Sequence, residues 1–165
     1  MDELWWAGIE DADIGFGVTN IFINEYLSKR SNDFAGTYSC DNIPPHLQAV
    51  KRFTIICNLS KVGQLGSHFV LITSRGMDIL YFDPFGRPCS NHDINRFMTG
   101  CRRKIVYNDR QIQSPISTKC GLFCILYAII FDSSQDKNTR IIKWSHNLFA
   151  NDKICIRLLK QFERK

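Results

Sequence analysis

The sequence predicts an α+β domain in which an antiparallel or mixed sheet packs on one central, buried helix. Three observations carry this. Gly66-Ser-His68-Phe-Val-Leu-Ile-Thr-Ser-Arg75-Gly76-Met-Asp-Ile-Leu-Tyr-Phe-Asp83-Pro84 holds two runs rich in β-branched and aromatic residues around a turn signal, the pattern of a hairpin. Cys120 to Phe131 is apolar on every side, as a helix enclosed by its own domain is. A length of 165 residues with 44% hydrophobic content suits one domain, 1–165, with one core.

Taken in order, residues 1–17 form an acidic N-terminal extension holding Asp2, Glu3, Glu10, Asp11 and Asp13 with no Lys or Arg. The whole chain is +5, so residues 18–165 carry +10. The extension reads as a strand or helix capping the core, with a regulatory segment as the alternative. From Thr19 to Arg30, apolar residues at 21, 22, 23, 26 and 27 predict an amphipathic helix. Thr19 is its N-cap, and Lys29 and Arg30 face the negative end of its dipole. Lys51 to Leu59 alternates as a strand does, and Arg103 to Tyr107 reads as another. The stretch between Gly86 and Arg103 reads as a polar connection. Its Cys89-x-x-His92 and Cys101 invite a zinc site, but no fourth ligand lies at useful spacing, and no metal is expected. After the apolar helix, Ile141 to Phe149 and Lys153 to Phe162 read as two further helices.

Composition narrows the class. No basic region precedes an apolar stretch at the N-terminus, and the Gly121–Phe131 run is too short to cross a bilayer, so a soluble, non-secreted monomer without membrane partners is expected. Seven cysteines without paired spacing suit reduced thiols in a cytosolic or nuclear compartment.

Chemistry concentrates in two stretches. Gln113-Ser-Pro-Ile-Ser-Thr-Lys-Cys120 runs from a polar loop into the buried helix and places a cysteine at the helix start. Unpaired N–H groups and the positive dipole end there favour a thiolate, which makes Cys120 the candidate nucleophile. Gln113 offers an amide donor of the kind that holds an oxyanion. In the hairpin, a turn centred between 75 and 76 sets His68 opposite Asp83, with Cβ atoms about 4.5 to 5.5 Å apart. A carboxylate there orients the imidazole and fixes its tautomer. The candidate catalytic set is therefore His68, Asp83, Gln113 and Cys120.

The pattern His68-Phe69, then Asp83-Pro-Phe-Gly86, then Gln113-x-Pro-x-x-x-x-Cys120-Gly-Leu-Phe-Cys124 resembles the adenain family of viral maturation cysteine proteases, with relatives in other DNA viruses and in Polinton or Maverick elements. Phe34-Ala-Gly36-Thr37-Tyr38 and Asn42-Ile-Pro44 are similar to the family's Gly-Thr-aromatic stretch, and the resemblance spans about Ile21 to Asp132. It implies the fold shared by adenain and the ubiquitin-like-modifier proteases, and cleavage of capsid or core precursors in the virion or the host nucleus or cytoplasm. It also implies His68 as base, Asp83 as its orienting acid, Cys120 as nucleophile, and Gln113 with the Cys120 N–H as oxyanion hole. Glycine-containing cleavage sites and a disulfide from Cys101 to an activating peptide come from the same resemblance, and double-stranded DNA as activator comes from it together with the +10 of residues 18–165 and its clusters at Lys51-Arg52, Arg102-Arg103-Lys104 and Arg164-Lys165. Phe69 stands where the family usually has tryptophan, and Asp83 where adenovirus enzymes have glutamate. Proteases that remove ubiquitin-like modifiers share the residue order, but Phe69, Lys119 and the seven-residue step from Gln113 to Cys120 depart from their pattern. A degenerate, non-catalytic module that binds nucleic acid is the alternative outside enzymes.

Overall fold

The computed structural model describes residues 17–133 and 142–162. The acidic extension, apart from Gly17, lies outside the described residues. Thr19 caps the first helix, α1 (Asn20–Ser28), its hydroxyl accepting the Phe22 N–H at 3.1 Å. The Arg30 guanidinium returns to the Tyr26 carbonyl at the other end. β1 (Phe34–Ser39) follows, then a 3₁₀ turn (Pro45–Ala49) and β2 (Arg52–Asn58). The hairpin is β3 (Phe69–Arg75) and β4 (Asp78–Phe82). After it come α2 (His92–Gly100), β5 (Lys104–Tyr107), α3 (Cys120–Ser133) and α4 (Leu148–Phe162).

The five strands form one mixed sheet in the order β1-β2-β3-β4-β5. The two inner pairings are antiparallel, β2 with β3 and β3 with β4, while the outer strands β1 and β5 run parallel to their neighbours. The fold is thus α+β with a mixed sheet. Successive strand residues point to opposite faces, and both faces are covered. Ile56, Leu71 and Phe82 join α1, α3 and α4 in one apolar cluster. Phe53, Ile55, Val70, Ile72, Ile79 and Tyr81 join the 3₁₀ turn and α2 in the other. α3 supplies much of the first cluster: Leu122, Phe123, Cys124 and Leu126 are fully buried. Each large apolar side chain so buried is worth about 1.5 to 3 kcal/mol against exposure. No helix among the described residues is long and apolar enough to cross a membrane.

Three sequence expectations are corrected. The hairpin loop is Gly76-Met77, so Arg75 pairs with Asp78 and Leu71 with Phe82, two residues away from the register that sets His68 opposite Asp83. Gly76 takes φ 62° while Met77 has no positive φ, the type II′ pattern with glycine at the first central position. The polar connection holds α2, capped by the Asn91 side chain on the Ile94 N–H, with Ile94, Phe97 and Met98 turned inward at i, i+3, i+4 spacing. Residues 142–147 of the expected helix from 141 to 149 are not helical. There Ser145 Oγ accepts the Asn147 N–H and Asn147 Oδ1 accepts the Phe149 N–H, local bonds that compete with a helical ladder and instead open α4.

Candidate active site

β3 and β4 are antiparallel, so the residue before β3 and the residue after β4 emerge at the same end of the sheet. His68 and Asp83 occupy those positions. Their side chains meet, His68 Nε2 to Asp83 Oδ1 at 2.7 Å. The two-residue register shift keeps Asp83 on the same sheet face and converts a directly opposed pair into a diagonal one, a step a carboxylate and an imidazole can span. The Phe85 ring, in the turn after β4, stacks on the imidazole with centroids 4.8 Å apart and planes 21° from parallel. Arg87 lies over the Phe85 ring, 4.9 Å from its centre.

Asp83 is 3% exposed and held from several sides. Its Oδ1 accepts the Phe85 N–H at 2.8 Å as well as the His68 proton. Its own backbone is paired with the Asn108 side chain, N–H to Oδ1 at 2.8 Å and C=O from Nδ2 at 2.7 Å. Gly86 N–H closes the turn on the Asp83 carbonyl at 2.7 Å.

The first residue of α3 brings the thiol to this same end. Phe69 N–H points at Cys120 Sγ at 3.4 Å, and one turn later Cys124 S–H donates to the Phe69 carbonyl at 3.5 Å. Two sulfurs at i and i+4 therefore bracket the peptide of the residue next to His68, which fixes helix against strand. The His68 imidazole and the Cys120 thiol line the same cleft, near enough for Cys120 to raise the His68 pKa. With Nε2 on Asp83, Nδ1 is the ring nitrogen that faces the sulfur. Burial pulls the His68 pKa down, but the hydrogen bonds and charges of Asp83 and Cys120 outweigh it and raise it to about 9.

Cys120, His68 and Phe85 line a cleft of about 650 Å³. Its walls are the start of α1, the 58–67 loop and the 115–118 loop, and Lys61 is among its lining residues. Gln113 lies elsewhere. Its side chain is fully buried, is not part of the cleft wall, and donates from Nε2 to the Ser117 carbonyl at 2.7 Å while Oε1 has no partner. A primary amide has two N–H donors. One of them is taken by the Ser117 carbonyl, in the loop that leads to Cys120. Asn151 of α4 fixes the start of that loop through the Ile112 carbonyl at 3.0 Å.

Cys101 caps the end of α2, on the opposite face of the sheet from Cys120. It is 6% exposed, and its thiol donates to the Phe97 carbonyl at 3.5 Å. A disulfide to an incoming peptide requires this sulfur to be uncovered first. Phe85 and Asn108 escaped the sequence reading. Phe85 had a signal, since it stands two residues beyond Asp83; Asn108 had none, being an isolated amide after a strand.

The chain matches no protein-family profile and no curated protein sequence. Among solved structures it is similar to the SUMO protease Ulp1 with its catalytic cysteine oxidised to a sulfenic acid, at 12% identity and a TM-score of 0.48, covering 93% of this chain and 82% of that one. It is also similar to an AvrA deletion variant with IP6 and CoA, at 17% identity and a TM-score of 0.46, covering 77% of this chain and 56% of that one. The functional reading rests on the side chains of the site.

The site's pH response follows from the His68 shift. An imidazolium beside the sulfur persists below about pH 9 and is lost above it. Asp83→Asn removes the carboxylate that raises this pKa, so the alkaline fall in activity is expected to move to lower pH, with turnover reduced more than substrate affinity. A pH profile of kcat and KM for both proteins checks this.

Proposed function

We propose that the chain is a cysteine endopeptidase that cleaves capsid or core precursor proteins of a virus or virus-like element during particle maturation. The observation that carries the enzymatic reading is the Asp83 Oδ1 to His68 Nε2 bond, with His68 and Cys120 lining one cleft. The adenain-like spacing around His68, Asp83, Gln113 and Cys120 supports the viral substrate.

In this reading Cys120 Sγ attacks the scissile carbonyl while His68 holds the proton. The imidazolium then protonates the departing amine, leaving an acyl-enzyme. His68, neutral again, takes a proton from water, which releases the acyl group. N–H groups at the start of α3, Cys120's among them, lack intrahelical partners and face the developing oxyanion. Gln113 is proposed to join them once the 114–118 loop yields, and Cys101 to pair with an activating peptide once α2 uncovers it.

Purified protein incubated with a glycine-containing peptide library and, in parallel, with ubiquitin-like fusions decides between substrates. Cleavage after glycine in short peptides supports the reading. Cleavage of the fusions alone would reassign the enzyme to modifier removal, and bulky residues beside the cut bond would contradict the glycine preference.

Double-stranded DNA is proposed as an activator. The fold gathers Lys51-Arg52 and Arg102-Arg103-Lys104 at the end of the sheet away from the cleft, since Arg103 donates to the Val50 and Lys51 carbonyls. Arg52 is exposed but ion-paired with Asp33 at 2.5 Å, which leaves Lys51, Arg102 and Lys104 as the exposed cations proposed to meet phosphate. The Arg164-Lys165 pair lies outside the described residues. Affinity for a labelled duplex should fall with salt at a log-log slope of about −0.9 per phosphate neutralised, and the slope should shrink when these three are replaced by alanine. Duplex that neither binds at low salt nor changes peptide cleavage would end this role.

A further inference from the structure

We infer that Asn108 is a positioning residue for the His68 to Cys120 couple, acting through the backbone of Asp83; this rests on the proposed cysteine peptidase site. β4 and β5 pair in parallel as far as Tyr81 with Tyr107. One residue further the ladder ends, and Asp83 is followed by Pro84, which has no N–H to continue it. The Asn108 side chain replaces the missing strand. Its amide bonds both polar groups of the Asp83 backbone, accepting the N–H at 2.8 Å and donating to the C=O at 2.7 Å. The same Nδ2 also reaches the Arg110 carbonyl at 3.4 Å. A side-chain amide supplies an acceptor and a donor side by side, as a peptide does.

The consequence is rotational. With N–H and C=O both fixed, the Cα to Cβ direction of Asp83 is set, and Oδ1 meets the imidazole at 2.7 Å. Without the clamp, the residues between β4 and the 83–86 turn regain freedom, and the carboxylate spends less time on His68. The cost falls on orientation of the base, while the cleft walls are untouched.

Three readouts test this in Asn108→Ala: peptide turnover, the pH profile of Cys120 alkylation by iodoacetamide, and thermal melting. Turnover is expected to fall roughly 10- to 100-fold with KM little changed, and the alkaline limb to move down by about one pH unit as Asp83 loosens from His68. In an Asp83→Asn background, Asn108→Ala should add little, because both changes act on one contact. An unmoved alkaline limb, a full multiplicative effect in the Asp83→Asn background, or activity that falls only with the melted fraction would each overturn the assignment. Should Asn108→Ala fail to fold, Asn108→Ser, a smaller change that removes the paired amide, carries the same readouts. Slow Cys120 alkylation in the unmodified protein would instead reject the peptidase site itself, so the two failures are distinct.

Discussion

Cys120→Ala and His68→Ala are each expected to remove nearly all peptidase activity while the fold persists. Nucleophile and base act as a unit, so losing either costs several orders of magnitude, and losing both costs little more. The packing around the two residues explains why the fold survives. Cys120 is 8% exposed at the edge of its cluster, and alanine keeps the helix start while removing one sulfur. His68 precedes β3 and belongs to no strand pairing, so truncation leaves the sheet register in place. Single-turnover assays with one peptide, beside circular dichroism melts, check both halves. Substantial turnover in either variant would remove that residue from the chemistry.

The second large effect is on stability. Gly86 takes φ 66°, and a Cβ built there would lie 2.5 Å from the backbone of Arg110 and Gln111. A left-handed conformation costs an L-residue about 1 to 2 kcal/mol, and the collision with fixed backbone adds about 1 to 3 kcal/mol. Gly86→Ala should therefore destabilise by roughly 2 to 5 kcal/mol, a large share of a total that runs about 5 to 15 kcal/mol. The melting point should fall by about 10 °C. Gly63 supplies the contrast, with φ 82° but nothing within 4 Å of its missing Cβ, so Gly63→Ala should show only the conformational share. Because Gly86 closes the turn on the Asp83 carbonyl, activity should fall further than the melting point alone explains. Equal melting points for the two variants would refute the steric account.

Much of this architecture is legible in the chain because single residues decide it. Thr19 stands where a cap must stand, and the run from Gly121 to Phe131 has no polar face to turn outward. The hairpin's register is harder. Arg75-Gly76 and Gly76-Met77 are both credible loops, and choosing between them shifts every pair by two residues without changing any residue's face. That is why His68 still meets Asp83 although the two are not a directly opposed pair. α2 hides behind polar composition: three apolar residues at 94, 97 and 98 suffice to bury it, and a reading that weighs cysteine spacing overlooks the helical spacing. Ile142 to Asn147 has apolar residues enough for a helix, but Ser145 and Asn147 turn the backbone on itself. The Asn108 clamp depends on a tertiary contact across 25 residues, which no local pattern signals.

The central claim is that His68 activates Cys120. Six other cysteines serve as an internal comparison: Cys40, Cys57, Cys101, Cys124 and Cys155 are buried and Cys89 is half-buried, while Cys120, also buried, lines the cleft. Burial pushes the thiols of Cys57, Cys89, Cys101, Cys124 and Cys155 up, away from the reactive form. Limiting iodoacetamide at neutral pH, read by peptide mass mapping, should label Cys120 ahead of all others, and His68→Ala should abolish that lead. Labelling of Cys120 no faster than of Cys89, or a lead that survives His68→Ala, would contradict the account.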